Sequence, residues 1–152
     1  MKGVQWQFIV KMKKFLVGVV SAMVAILLCF SLAGCDKSDD IKKAFEKEGY
    51  TVTVVDTNND TAKGLLSVAL TSEQIEKVGE YGIYLCTGKL LQTPALYIKF
   101  SSSGELKDFL TVEKDGNKDT SAYDSAKEKG FINGNCYLLP TVGKPLEIFK
   151  NA

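Results

Sequence analysis

The chain has 152 residues, a formal net charge of +1 and 45% hydrophobic residues, and all 19 of its basic residues are lysine. The absence of histidine removes the commonest general base and metal ligand at neutral pH, and the absence of arginine removes the planar fork that grips phosphate and carboxylate. Four lysines (Lys2, Lys11, Lys13, Lys14) precede residue 35. The remainder carries 15 lysines against 18 acidic residues, a net of −3, which argues against a nucleic-acid interface.

In chain order, a basic stretch (Lys11, Lys13, Lys14) leads into an uncharged run from Phe15 to Ala33, which ends at Leu32-Ala33-Gly34-Cys35. This order of positive, apolar and small residues is that of a secretory signal. The four-residue motif resembles the lipobox of bacterial membrane lipoprotein precursors. The resemblance implies cleavage between Gly34 and Cys35, a diacyl lipid on the Cys35 thiol, and a mature chain of 118 residues held outside the cytoplasm at the cell membrane. Met12-Lys13-Lys14 also looks like the natural start of such a signal. The competing reading is an uncleaved spanning helix, since 19 residues nearly match the ~20 that a bilayer requires. The small Ala33-Gly34 pair and the polar Asp36–Asp40 that follow favour cleavage. Residues 35–40 then form a lipid-anchored tether, whose Asp36–Asp40 stretch reaches at most about 17 Å at ~3.4 Å per residue, and residues 41–152 form one domain, near the usual size.

Ser38 is expected to cap a helix whose first turn holds Asp39 and Asp40, with Ile41, Ala44 and Phe45 at helical spacing and Gly49 as the stop. Tyr50–Asp56 alternates and is β-branched, so it predicts a strand closed by Asn58-Asn59-Asp60. Thr61–Gly79 predicts an interrupted helix in which Thr71 and Gln74 form a capping box. Gly64–Leu70 is open to a strand reading. Tyr81–Cys86 and Ala95–Phe100 predict two further strands, and Ser103-Gly104-Glu105 opens a helix with Leu106, Phe109 and Leu110 on one side. Lys114–Thr120 reads as a polar loop, Ala122–Lys129 as a surface helix, and Phe131–Leu139 as a last strand. Thr141–Ala152 can end in a short strand or helix.

Without the first helix and the tail this order is β-α-β-β-α-β. It predicts an α+β, ferredoxin-like βαββαβ sandwich with an extra N-terminal helix and a short C-terminal tail. The strand order 4-1-3-2 of that fold puts Cys86 and Cys136 on opposite edges, about 14 Å apart at ~4.8 Å per strand. That is too far for a disulfide, which needs Cα atoms within ~7 Å, so both thiols are expected to be buried and free.

No pattern predicts a cofactor, a metal or a catalytic group. A cysteine nucleophile has no histidine to activate it. Asp115, Asn117 and Asp119 alternate like oxygen ligands, but Lys118 intervenes and no bidentate glutamate follows. Ser101-Ser102-Ser103-Gly104 reads as helix capping rather than as an anion site. In a ferredoxin-like fold the helices cover only one sheet face. The other would carry Tyr84, Tyr97, Lys99, Asn133, Asn135 and Tyr137, with Thr51, Thr53 and Val55 beside them, an aromatic and amide surface of the kind found at interfaces. Such a face can bind a protein or cell-wall ligand, stack on a second copy as a homodimer, or lie under the C-terminal tail. The expected function is therefore a membrane-anchored, non-catalytic binding module. The alternatives are a structural homodimer through that face, or a surface enzyme using a cysteine or Lys99.

Overall fold

The computed structural model of the protein describes residues 36–152, so the signal motif and Cys35 lie outside the described residues. The described chain is α+β. Helix α1 (Ser38–Lys47) leads into strand β1 (Thr51–Val55), then α2 (Asp60–Ala69) and α3 (Ser72–Val78). Strands β2 (Gly82–Thr87) and β3 (Ala95–Lys99) follow, and then α4 (Ser103–Leu110), β4 (Val112–Lys114), β5 (Asn117–Asp119) and α5 (Ser121–Glu128). The chain ends with β6 (Ile132–Asn133), β7 (Cys136–Leu138) and α6 (Lys144–Asn151).

Local chemistry explains most of these boundaries. The first helix is capped from outside: the Asp36 carboxylate accepts the Ser38 N–H at 3.1 Å, and Ser38 is its first, buried, residue rather than its cap. It ends in a Schellman motif, in which the Gly49 N–H donates to Glu46 O and the Tyr50 N–H to Phe45 O. Gly49 takes φ +85°, and Phe45 and Tyr50 close the motif edge to face with ring centroids 5.3 Å apart. Asn59 caps α2, so Gly64–Leu70 is helical up to Ala69 rather than a strand. Both halves of the Thr71–Gln74 capping box are formed at α3. Ser102 caps α4 by accepting the Glu105 N–H.

Five strands form an antiparallel sheet in the order β1-β2-β3-β7-β6, and β4 and β5 form a separate hairpin. This is not the 4-1-3-2 order expected from the sequence. The reason lies between β1 and β2. A single crossover helix would deliver the chain to the far end of the sheet, parallel to β1 and one strand away. Two helices separated at Leu70-Thr71 return it to the end where β1 finished. Val55 therefore aligns with Ile83, and β2 pairs directly with β1.

Helices cover the sheet on both sides. On one side Ile83, Leu85, Leu96, Ile98 and Tyr137 pack with α2, α3, α4 and α5 through Leu66, Val78, Leu106 and Ala126. On the other side Val52, Tyr84, Cys86, Ala95, Tyr97 and Leu138 pack with Ile41 and Phe45 of α1 and Ile148 and Phe149 of α6. Central β3 is consequently buried along Ala95–Ile98. Each fully buried Phe or Leu on either side contributes ~1.5–3 kcal/mol of burial free energy.

The last expected strand, Phe131–Leu139, is a tight hairpin. Gly134 at φ +61° and Asn135 turn the chain, and Asn133 pairs with Cys136. The expected Lys114–Thr120 loop is mostly the β4–β5 hairpin, turned at Asp115-Gly116 with both residues at positive φ, an Asp-Gly signature of such turns.

Candidate interaction surfaces

Of the three fates open to the Tyr97 face, the structure shows the third: the C-terminal tail covers it, together with α1, so it is not the open surface of the binding reading. Tyr97 is 0% exposed, stacked on Tyr84 (centroids 4.7 Å apart, planes 3° apart) and packed by Phe45 at 6.3 Å and Phe149 at 6.2 Å. Its hydroxyl donates to Ser38 O at 3.4 Å, and burial raises its pKa. Helices α1 and α6, the extra helix and the tail of the sequence reading, are the elements that cover it.

The parity of this face also differs from the expectation. The two-residue turn at Gly134-Asn135 swaps odd and even positions, so Asn133 shares its side of the sheet with Cys136 and Leu138. Tyr137 aligns with Ile132 and faces the opposite core. In β1 it is Val52 that faces the Tyr97 side, whereas Val55 packs in the opposite core. The polar residues expected on an open surface serve the fold instead. Lys99 forms an ion pair with Asp36, which raises the Lys99 pKa and lowers that of Asp36. The Asn133 amide donates to Phe149 O at 2.8 Å, tying α6 to the sheet. The Asn135 amide is buried and donates to Phe100 O at 2.6 Å.

Cys86 and Cys136 are buried and free, as expected, but for a different geometric reason. They lie on the same side of the sheet with β3 between them, aligned with Ala95 and Lys99 respectively. Two strand spacings and four residue rises separate them by about 16 Å. Burial pushes both thiols up to about 12, the reverse of what a nucleophilic cysteine requires. Lys99, held by Asp36, offers no free amine. Among the described residues no cluster of histidine, cysteine and acidic side chains is suited to a metal, and no helix is long and apolar enough to cross a membrane.

Two surface features remain. A groove of about 840 Å³ lies between α3, α4 and β4, lined by Tyr81, Phe109, Val112, Glu105, Asp108 and Glu113 among others. The second feature is the loop joining β2 to β3. Its turn is held by the Gln92 N–H to Lys89 O at 2.9 Å, and the Lys89 N–H to the Gln92 side chain at 2.7 Å. The turn presents Leu90 and Leu91 to solvent, 96% and 101% exposed. Leu91 takes φ +79°, a left-handed conformation costing an L-residue ~1–2 kcal/mol. Val142, also exposed, follows Leu139, whose N–H bonds to Leu96 O at this same end of the sheet. Asp36 sits at the other end, beside Lys99. The sequence signal for this loop is an adjacent leucine pair between Gly88 and Pro94, where turn residues predict exposure.

No protein-family model matches the chain, and no significant match was found among curated proteins or solved structures.

Proposed function

We propose that the protein is an extracytoplasmic lipoprotein, diacylated on Cys35 and held at the bacterial cell membrane, whose domain is a non-catalytic binding module. The Leu32–Cys35 motif supports the anchor. The observation that carries the binding reading is the placement of Asp36 and Leu90-Leu91 at opposite ends of the sheet. Asp36, one residue after the lipidated cysteine, is held by Lys99 and by the Ser38 N–H, which leaves almost none of the tether expected at residues 35–40. The end carrying Asp36 then faces the bilayer. The exposed leucine pair, with Leu91 in a strained conformation, points away from the lipid toward a protein or cell-wall ligand. The closed Tyr97 face and the buried thiols give no support to the face-to-face homodimer or to the surface enzyme.

The anchor is tested by the intact mass of the protein from membranes. A chain beginning at diacylated Cys35 is expected, and a chain that keeps residues 15–33 overturns it. The binding end is tested in intact cells with a photo-crosslinking residue at position 90 or at exposed position 68 on α2. A discrete adduct at 90 that is absent at 68 is expected. Equal labelling at both positions, or none at 90, overturns the assignment.

A further inference from the structure

We infer that a second copy of this chain pairs with β1, joining two five-stranded sheets into one continuous antiparallel sheet about a two-fold axis at Thr53. The inference is independent of the lipid anchor and of the Leu90-Leu91 loop.

Backbone hydrogen bonding defines the edge. Leu139 N–H bonds to Leu96 O, and Phe100 N–H to Asn135 O, so the even residues of β3 bond toward β7. In an antiparallel ladder the bonded positions alternate sides. The odd residues of β3 therefore bond to Tyr84 and its alternates on β2, and Ile83, Leu85 and Thr87 bond to Val55, Thr53 and Thr51. Val52 and Val54 are left with their N–H and C=O groups pointing away from the sheet. No hydrogen bond among the described residues reaches these four groups. A row of unpaired backbone donors and acceptors has one natural complement, another strand.

The two edges of the sheet differ. The β6 edge is only two residues long, which limits pairing. Strand β1 is five residues, Thr51-Val52-Thr53-Val54-Val55, with no charge, proline or bulge, and Val54 is 65% exposed. A charge, a proline or a bulge is what usually protects an edge from strand addition, and β1 has none of them.

The edge is also self-complementary. When two β1 strands run antiparallel with Thr53 opposite its own copy, Val52 of each faces Val54 of the other. All four outward groups of each copy are then paired, with four hydrogen bonds in total. Thr53 meets Thr53 at a non-hydrogen-bonded position, where side chains approach most closely. Exposed Val54 gains Val52 of the second copy as its cross-strand neighbour. Because the strand carries no charge, self-pairing brings no like charges together. A two-fold interface of this kind closes as a dimer.

The test uses the full chain, in detergent micelles, carrying Thr53→Cys. At a non-hydrogen-bonded pair the Cα separation of ~4.5 Å lies within disulfide reach. On mild oxidation with copper phenanthroline, a reducible dimer at least tenfold above that of Val68→Cys at equal concentration is expected. Adding Val54→Lys places a charge in the new interface while leaving every β1–β2 hydrogen bond intact, and is expected to return the dimer to the Val68→Cys level. A Thr53→Cys chain that cross-links no more than Val68→Cys, or one whose cross-linking Val54→Lys leaves unchanged, overturns the proposal. Circular dichroism of each variant confirms that the comparison is between folded chains.

Discussion

At the scale of single residues, Tyr97 is where both covering helices meet the sheet. It touches Phe45 of α1, Phe149 of α6 and Tyr84 of β2. Tyr97→Ala is expected to lower unfolding stability by ~3–5 kcal/mol, the range for emptying a large aromatic site. Tyr97→Phe, which loses only the bond to Ser38 O, is expected to cost ~1 kcal/mol. Urea denaturation distinguishes the two, and an equal loss in both would argue against the packed site. Asp36 supplies a pH dependence. Its hydrogen bond with Lys99 lowers its pKa in the folded state, so its contribution is fully present above the ordinary carboxylate pKa and is lost as pH falls through the depressed folded value. Asp36→Asn is expected to flatten the acid limb of the stability–pH curve while changing little of its shape above pH ~6. The buried thiols act with the opposite sign. Their folded values are pushed up to about 12, whereas unfolded thiols ionise near ~8.5. Stability is therefore full below the unfolded value and declines as pH rises toward the folded one. Replacing both cysteines with alanine is expected to reduce that alkaline decline in thermal unfolding scans, whatever it does to stability at pH 7.

At the scale of elements, caps and turns set the boundaries, and two turns decide what the strands present. The Gly134-Asn135 turn divides one apolar run into β6 and β7, and with that inversion sends Tyr137 into the core beside Leu139. The Lys89–Gln92 turn holds Leu91 in a conformation that glycine adopts without strain. Leu91→Gly is expected to leave stability unchanged or to raise it by up to ~1 kcal/mol, since relief of left-handed strain exceeds the glycine entropy cost. A loss of more than that, measured by chemical denaturation, would show that the leucine contributes packing within the domain. An unchanged or raised value together with lost cross-linking from position 90 would assign the strain to function.

At the scale of the whole molecule, the domain has two ends and, among the described residues, one long unpaired edge. One end carries Asp36 and Lys99, and the other carries the Leu90-Leu91 turn and Val142. If the proposed lipid on Cys35 anchors the chain in nanodiscs, a fluorophore at position 90 is expected to stay beyond the reach of bilayer-borne quenchers, whereas one beside Asn135 is quenched. Equal quenching at both positions would mean that the domain lies flat on the membrane. Helices on both sheet faces leave lateral growth at β1 as the route by which this sheet can extend.

Helix and strand positions were largely legible in the sequence because they rest on short-range chemistry. Alternation marked β1, β2 and β3, the Thr71–Gln74 box marked the break between α2 and α3, and helical spacing marked α1 and α4. The same rules put Tyr97 and Lys99 on one side of β3. What the rules could not rank was the pairing of distant strands, because several strand orders satisfy the same alternation. The direction of return after α3 was decided by how two short helices pack on the sheet, and it replaced the ferredoxin-like order with β1-β2-β3-β7-β6. The choice among the three fates of the Tyr97 face was open for the same reason. Its aromatic composition is that of an interface and also that of a core, and only the docking of α1 and α6, elements at the two ends of the described chain, determined which it became. The amino-acid sequence by itself determined the local elements, the charge and the lipobox-like motif, because these depend on neighbours a few residues apart. Strand order, the closed face and the open β1 edge were decided by the tertiary structure, because each depends on which distant surfaces bury one another.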